Sequence, residues 1–192
     1  ANLVAVPGCY PTASILGLLP VISHLQKNSK IILDAKSGIS GAGKSSVENG
    51  LEEDIKENFK SYNVGFHRHQ PEIKDFLKTE FNLDHEIIFI PHLLPLFRGE
   101  YVTLYCEVSQ NDLDLNELYE SYYEKHKLVR IKEKGEIAEI KEVINTFYCD
   151  ISVSYAFQSN TIIVNSAIDN LLKGAASPVS YTHLTLPTTS AV

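Results

Sequence analysis

Cys9, the run His67-Arg68-His69 and the loop at 38–45 are the places where residue type and spacing suit chemistry. Cys9 follows Pro7-Gly8 and precedes a helical pattern with Pro11 in its first turn, where proline is tolerated. Free N–H groups and the helix dipole favour an anion at such a position. A cysteine there can ionise at about 3.5–7.5 instead of about 8.5. The thiolate is the reactive form, so Cys9 is a candidate nucleophile; the plainer reading is a small residue filling a tight turn. Cys106 and Cys149 fall inside apolar strand patterns and read as inert core. An extended run would put His67 and His69 on one face and Arg68 on the other. Two such imidazoles suit acid–base work or metal ligation. A metal needs a third and a fourth ligand, and no spacing rule recruits His92 or Cys9, so no metal site is assigned.

Gly38-Ile39-Ser40-Gly41-Ala42-Gly43-Lys44-Ser45 fits the phosphate-loop pattern, with Lys44 for phosphates and Ser45 for Mg²⁺. Against this, Asn49-Gly50 follows too soon for a helix, and the apolar run 87–90 ends at Pro91 rather than at an aspartate. A milder reading is a backbone-rich loop lying against a phosphate or ribose.

The elements that must hold these groups follow from periodicity. Residues 3–6 read as a strand meeting a tight turn, and 12–26 carry apolar residues at helical spacing. Further strands are expected at 30–35, 62–66, 86–90 and 101–108, and helices at 51–59, from Pro71 and at 115–125. Residues 147–157 and 161–168 suggest a hairpin across Gln158-Ser159-Asn160, and a helix starts at Asp169. This order implies α/β organisation at the start and a mixed sheet later.

The chain has 192 residues, 44% of them hydrophobic and 21% charged, as in an ordinary globular domain. The net charge of −7 makes it a poor general nucleic-acid binder. Its longest apolar run, at 13–22, is interrupted by Gly17 and Pro20 and is too short to span a membrane. With only three cysteines there is no disulfide framework, which points to the cytoplasm. The chain lacks methionine and opens on a core-strand pattern, so it reads as a fragment lacking its N-terminal part.

Five colinear segments carry a resemblance. They are Pro7-Gly8-Cys9-Tyr10-Pro11-Thr12-Ala13, Ser37-Gly38-Ile39-Ser40-Gly41-Ala42-Gly43, His67-Arg68-His69-Gln70-Pro71-Glu72-Ile73, Pro91-His92-Leu93 and Asp169-Asn170-Leu171-Leu172-Lys173-Gly174-Ala175-Ala176. Together they resemble the N-acetyl-γ-glutamyl-phosphate reductases of arginine biosynthesis. The resemblance implies an α/β fold: the last strand and helix of a Rossmann-like domain (1–28), then a substrate and dimerisation domain with a mixed, largely antiparallel sheet (29–168), then a helix returning to the first domain (169–177). It implies NADP(H) as cofactor and a small acyl phosphate as substrate. It also implies a homo-oligomer, dimer or tetramer, when complete, and no nucleic-acid or membrane partner. The role of nucleophile goes to Cys9, acid–base catalysis to His69, and substrate contacts to His67, Arg68 and Arg98. Ser37, Ser40, Gly41, Gly43 and Asn170 are implied for the nicotinamide end of the cofactor. A fragment of this kind is expected to be inactive by itself. The resemblance makes the phosphate-loop pattern at Lys44 a coincidence.

Two alternatives remain at this stage: a reductase of carrier-protein-linked aminoadipate phosphate in lysine biosynthesis, and a phosphate-loop NTPase. Residues 178–192 resemble a translated sequencing adapter, so the natural sequence is expected to stop near Ser177.

Overall fold

A computed structural model describes residues 6–176. The expected strand at 3–6 and the tail from 177 onward lie outside the described residues, apart from Val6, which is irregular. The elements run α1 (Cys9–Leu18), β1 (Lys30–Ser37), α2 (Lys44–Ser46), α3 (Glu52–Ile55), β2 (Lys60–Ser61), α4 (His69–Phe81), β3 (Glu86–Leu93), β4 (Glu100–Glu107), α5 (Leu115–Tyr123), β5 (Val129–Ile131), β6 (Cys149–Tyr155) and β7 (Thr161–Ile168).

The strands form one mixed sheet in the order β2-β3-β1-β4-β7-β6-β5. β1 with β3 and β5 with β6 are parallel. The pairings β1–β4, β2–β3, β4–β7 and β6–β7 are antiparallel, so the sheet is largely antiparallel, as expected. The parallel pair β1–β3 forms because α4 carries the chain back between them, a connection that antiparallel neighbours do not need. In β1, β3 and β4 buried residues alternate with partly exposed ones, the period-2 signature of a sheet with one side on the core.

α1 lies in the centre of that core. Every residue from Tyr10 to Leu18 is buried, so the helix is covered all round. It ends at Leu18 because Pro20 has no N–H to donate, and the chain continues as a 3₁₀ turn over Leu19–His24. The helical pattern expected over 12–26 is thus split by that proline. Two carbonyls near the end of α1 are satisfied from α5. The Tyr119 hydroxyl donates to Gly17 O at 2.6 Å and the Tyr123 hydroxyl to Leu16 O at 2.5 Å.

Several local expectations are corrected. Residues 62–66 are turns, because Asn63 (φ 47°) and Gly65 (φ 81°) take left-handed backbone that no strand accommodates. The helix expected from Pro71 begins two residues earlier, at His69. The expected helix at 51–59 is only the short α3, after a kink at Asn49 and Gly50 (φ 88°). β5 has no counterpart in the periodicity. The segment starting at Asp169 is a turn followed by a single π-helical turn, Leu172–Ala176.

Candidate active site

The N-terminus of α1 opens onto a cavity of about 460 Å³ lined by Cys9 and Tyr10, by Ser37, Gly41 and Ala42, and by the segment Tyr62, Asn63, Phe66, His67, Arg68 and His69. The cysteine, the histidine run and the glycine loop, remote in sequence, meet here.

Cys9 is the first residue of α1, and Gly8 before it is extended (φ −63°, ψ 166°). The turn is held from two sides. The Gly8 N–H donates to Glu72 Oε1 of α4 at 2.9 Å, and Thr12 Oγ1 donates to Gly8 O at 2.9 Å. Gly8 must be glycine because an added Cβ would stand 2.3 Å from His69 Nε2. That close approach sets the imidazole edge beside the residue that precedes the thiol. On the far side, Gly174 packs so tightly that its Cβ would lie 2.6 Å from Cys9 Cβ.

The Cys9 thiol does not have the lowered pKa that its helix position led us to expect. Burial pushes it well above its ordinary value, and the neighbouring Glu100 carboxyl pushes the same way. The backbone hydrogen bonds at Tyr10 and Cys9 favour the thiolate, but burial outweighs them. Cys106 and Cys149 are 1% and 0% exposed. Burial raises them to about 12 and about 11. They are core, as read from the sequence.

The histidine run is not extended. Arg68 is helical (φ −57°, ψ −25°) and serves as N-cap of α4. The two rings still meet, with centroids 4.8 Å apart, because the His69 N–H donates to His67 Nδ1 at 3.2 Å. Tyr10 packs edge-on against both rings. His69 is lowered to about 4 by burial first and then by His67 and Arg68. His67 is lowered by burial and Arg68. His69 is therefore neutral near pH 7, able to accept a proton, and its buried Nδ1 has no hydrogen-bond partner among the described residues.

Of the other expected site residues, Arg68 and Gly41 line the cavity, as does the buried Ser37, whose hydroxyl donates to Gly38 O. Ser40 stands beside the cavity and accepts from Asn170 Nδ2 at 3.0 Å. Asn170 Oδ1 accepts the Gly99 N–H at 2.8 Å, so this buried amide ties the glycine loop to the β3–β4 turn. Gly43 (φ 92°) is exposed and outside the cavity lining. Arg98 is also outside it. Its guanidinium pairs with the buried Asp169 at 2.7 Å and donates to Asn145 Oδ1, which holds it in the scaffold. The His92 ring lies against Asp34 and stacks on Phe59, so it is not available beside Cys9. Among the described residues no group of three or more His, Cys, Asp or Glu is placed to hold a metal ion. Lys44 is exposed and pairs with Glu48, on a single helical turn, which is not the phosphate-loop arrangement.

Glu72 and Glu100 are site residues that the sequence reading did not single out. Glu72 lay within the histidine segment without a role. Glu100 had a signal: it occupies the inward side of an alternation with Val102, Leu104 and Cys106, where a charge is out of place.

The profile of the semialdehyde dehydrogenase dimerisation domain matches residues 9–170. The proteins named N-acetyl-gamma-glutamyl-phosphate reductase of Halothermothrix orenii and Thermoanaerobacter sp. strain X514 are 44% and 41% identical over 92% of this chain. The chain spans about half the length of these relatives, 52% in both cases. Among solved structures, aspartate semialdehyde dehydrogenase II of Vibrio cholerae superposes with a TM-score of 0.74 at 16% identity, over 95% of this chain and 62% of that one. A probable aspartate-semialdehyde dehydrogenase of Pseudomonas aeruginosa gives 0.75 at 15%, with the same coverage. At such identities the likeness is one of fold. The mixed sheet, the central α1 and the match over 9–170 agree, and the chain belongs to the semialdehyde dehydrogenase dimerisation-domain family.

Proposed function

We propose that the complete protein reduces N-acetyl-glutamyl 5-phosphate to the 5-semialdehyde, with release of phosphate, through a thioester on Cys9. The observation that carries this reading is the meeting of Cys9 and the neutral His69 on one cavity beside the glycine loop. The names of the relatives favour the N-acetyl-glutamyl substrate over carrier-linked aminoadipate.

His69, unprotonated at neutral pH, takes the proton of the Cys9 thiol. The sulfur attacks the acyl carbon, the C–O bond to phosphate breaks, and phosphate leaves with its electron pair. Hydride added to the thioester carbonyl would leave a thiohemiacetal on Cys9; as its C–S bond breaks to release the aldehyde, protonated His69 returns its proton to the Cys9 sulfur. His67 and Arg68, on the same wall, bind the anionic groups of the substrate. Ser37 and the backbone of Gly41 border the cavity closely enough that a Cβ on Gly41 would strike Ser37 Oγ at 2.6 Å. A wall with no side chain at Gly41 and a small hydroxyl at Ser37 suits the nicotinamide end of NADPH, which would supply hydride when bound. A biosynthetic reductase with free Cys9, Cys106 and Cys149 belongs in the cytoplasm. The membership in a dimerisation-domain family supports a homo-oligomeric enzyme.

Intact-mass measurement after mixing the chain with N-acetyl-glutamyl phosphate tests the chemistry. One hydroxylamine-labile N-acetyl-glutamyl group on the peptide containing Cys9, absent from Cys9→Ser, is the expected result. Phosphate release without a Cys9 adduct would refute the thioester.

A further inference from the structure

Glu100 opens β4, and its side chain stands on the side of the strand that carries Val102, Leu104 and Cys106, all buried. α1 lies along this row. Gly17 packs on Leu104, where an added Cβ would come within 2.9 Å of Leu104 Cδ1. From that crossing α1 runs back to Cys9, about 12 Å at its rise per residue, and β4 runs back to Glu100, about 13 Å. The matching lengths bring Cys9 over Glu100. The register agrees: Glu100 pairs with Ser37 of β1, which lines the cavity, and with Ile168 of β7. Gly174, which packs on Cys9, also faces Ile168, whose Cδ1 would lie 3.2 Å from a Cβ added at Gly174.

Glu100 is 0% exposed, and among the described residues neither carboxyl oxygen has a partner at ordinary hydrogen-bond geometry. A strand position under a helix is ordinarily apolar, and an unpartnered carboxyl there calls for an explanation. The titratable groups around it are Cys9 and Tyr10 of α1, Tyr62 after β2 and Cys149 of β6. The buried Lys173 of the last turn acts on Cys149. Asp169 and Asp150 are engaged by Arg98 and Arg130. The Cys9 thiol is the polar group that acts on the Glu100 carboxyl.

We propose that Glu100 is a positioning residue that governs the ionisation of Cys9. As the neutral acid it donates its O–H to the sulfur and supports the thiolate; as the carboxylate it holds the sulfur protonated. The proposal rests on Cys9 being the nucleophile. The thiol proton still goes to His69, and Glu100 keeps its own proton while it donates. Burial raises Glu100 to about 8, whereas the Cys9 thiol lies well above 9.0. Rising pH therefore ionises Glu100 first, and the new charge opposes loss of the Cys9 proton.

The test is the rate of Cys9 alkylation by iodoacetamide from pH 6 to 10, read by peptide mass spectrometry on the 192-residue chain and on Glu100→Gln and Glu100→Leu. Near-UV circular dichroism checks that each variant is folded. Gln keeps a donor and cannot ionise. It should match the unchanged chain within about threefold near pH 6.5 and exceed it about tenfold near pH 9, the size of one pKa unit. Leu has no donor and should fall about tenfold below Gln near pH 6.5. Identical profiles for Gln and the unchanged chain would overturn the proposal, and so would equal rates for Leu and Gln near pH 6.5. If the Leu variant does not fold, the Gln profile decides alone. Labelling of Cys106 or Cys149 with Cys9 unmodified in every chain would instead sink the assignment of Cys9 as nucleophile.

Discussion

Cys9 combines a helix N-terminus with a half-buried position, and desolvation there decides its ground-state charge. A thiol held protonated depends on a neighbouring base at the moment of attack, and His69 is placed to be that base. In a complete enzyme carrying these residues, His69→Ala should lower kcat by roughly 10²–10⁴, the usual size of general acid–base loss. His67→Ala should act mainly on KM, and steady-state kinetics of the pair separates the roles. His69 also gives the fold a pH dependence. The unfolded chain takes this proton near pH 6.5 and the folded chain only near 4, so protonation between these values favours unfolding. The stability tied to His69 is complete above about 6.5 and is lost as pH falls toward 4, by about 3 kcal/mol. Urea unfolding across that range should show a shallower decline for His69→Leu.

At the scale of elements, α1 is the keystone because its beginning is the site and its end is held by α5. Tyr119→Phe leaves Gly17 O without its buried donor. The expected cost is about 1–3 kcal/mol in urea unfolding, the size of an unsatisfied buried acceptor. Gly8→Ala acts at the other end of α1. Its methyl would occupy the place of the His69 ring edge, so the imidazole must move. Alkylation of Cys9 by a neutral reagent should persist in this variant, while acyl transfer to Cys9 should fall by at least the factor given for His69→Ala. Retention of full acyl transfer would show that the His69 placement is not needed.

At the scale of the whole molecule, one side of the sheet is committed to α1, and the other carries half-buried side chains at alternate positions, including Ile32, Thr103, Tyr105 and Ile163. Family membership marks this part of the protein as a dimerisation domain. A sheet side of this composition suits a second copy of the chain. Light scattering should report self-association that Ile163→Lys weakens, since a charge there would be buried against the partner. A monomer at all concentrations would overturn this assignment of the sheet side, and self-association unchanged by Ile163→Lys would place the contact elsewhere. Asn170 works at the same scale by joining Ser40 to Gly99 across the chain. Asn170→Ala should speed hydrogen exchange in the glycine loop at 38–43 and leave the α1 amides protected.

The sequence by itself determined most strands, the hairpin at Gln158-Ser159-Asn160 and the core role of Cys106 and Cys149, because period-2 alternation and turn residues act locally. It also marked Cys9, His67, Arg68 and His69 as a group, through motifs whose order along the chain is itself information. Conformations set by long-range contact were not legible. Arg68 turns helical because α4 starts before Pro71, and 62–66 is a turn rather than a strand; neither follows from apolar periodicity. Arg98 has the right type for an anion contact, yet the fold spends it on Asp169, a partner visible only when β4 and the end of β7 lie side by side. The direction of the Cys9 shift was decided by tertiary structure alone. A helix N-terminus is a local feature and predicts a lowered thiol, whereas desolvation under the packed chain and the facing Glu100 depend on residues far away in sequence, and they outweigh it.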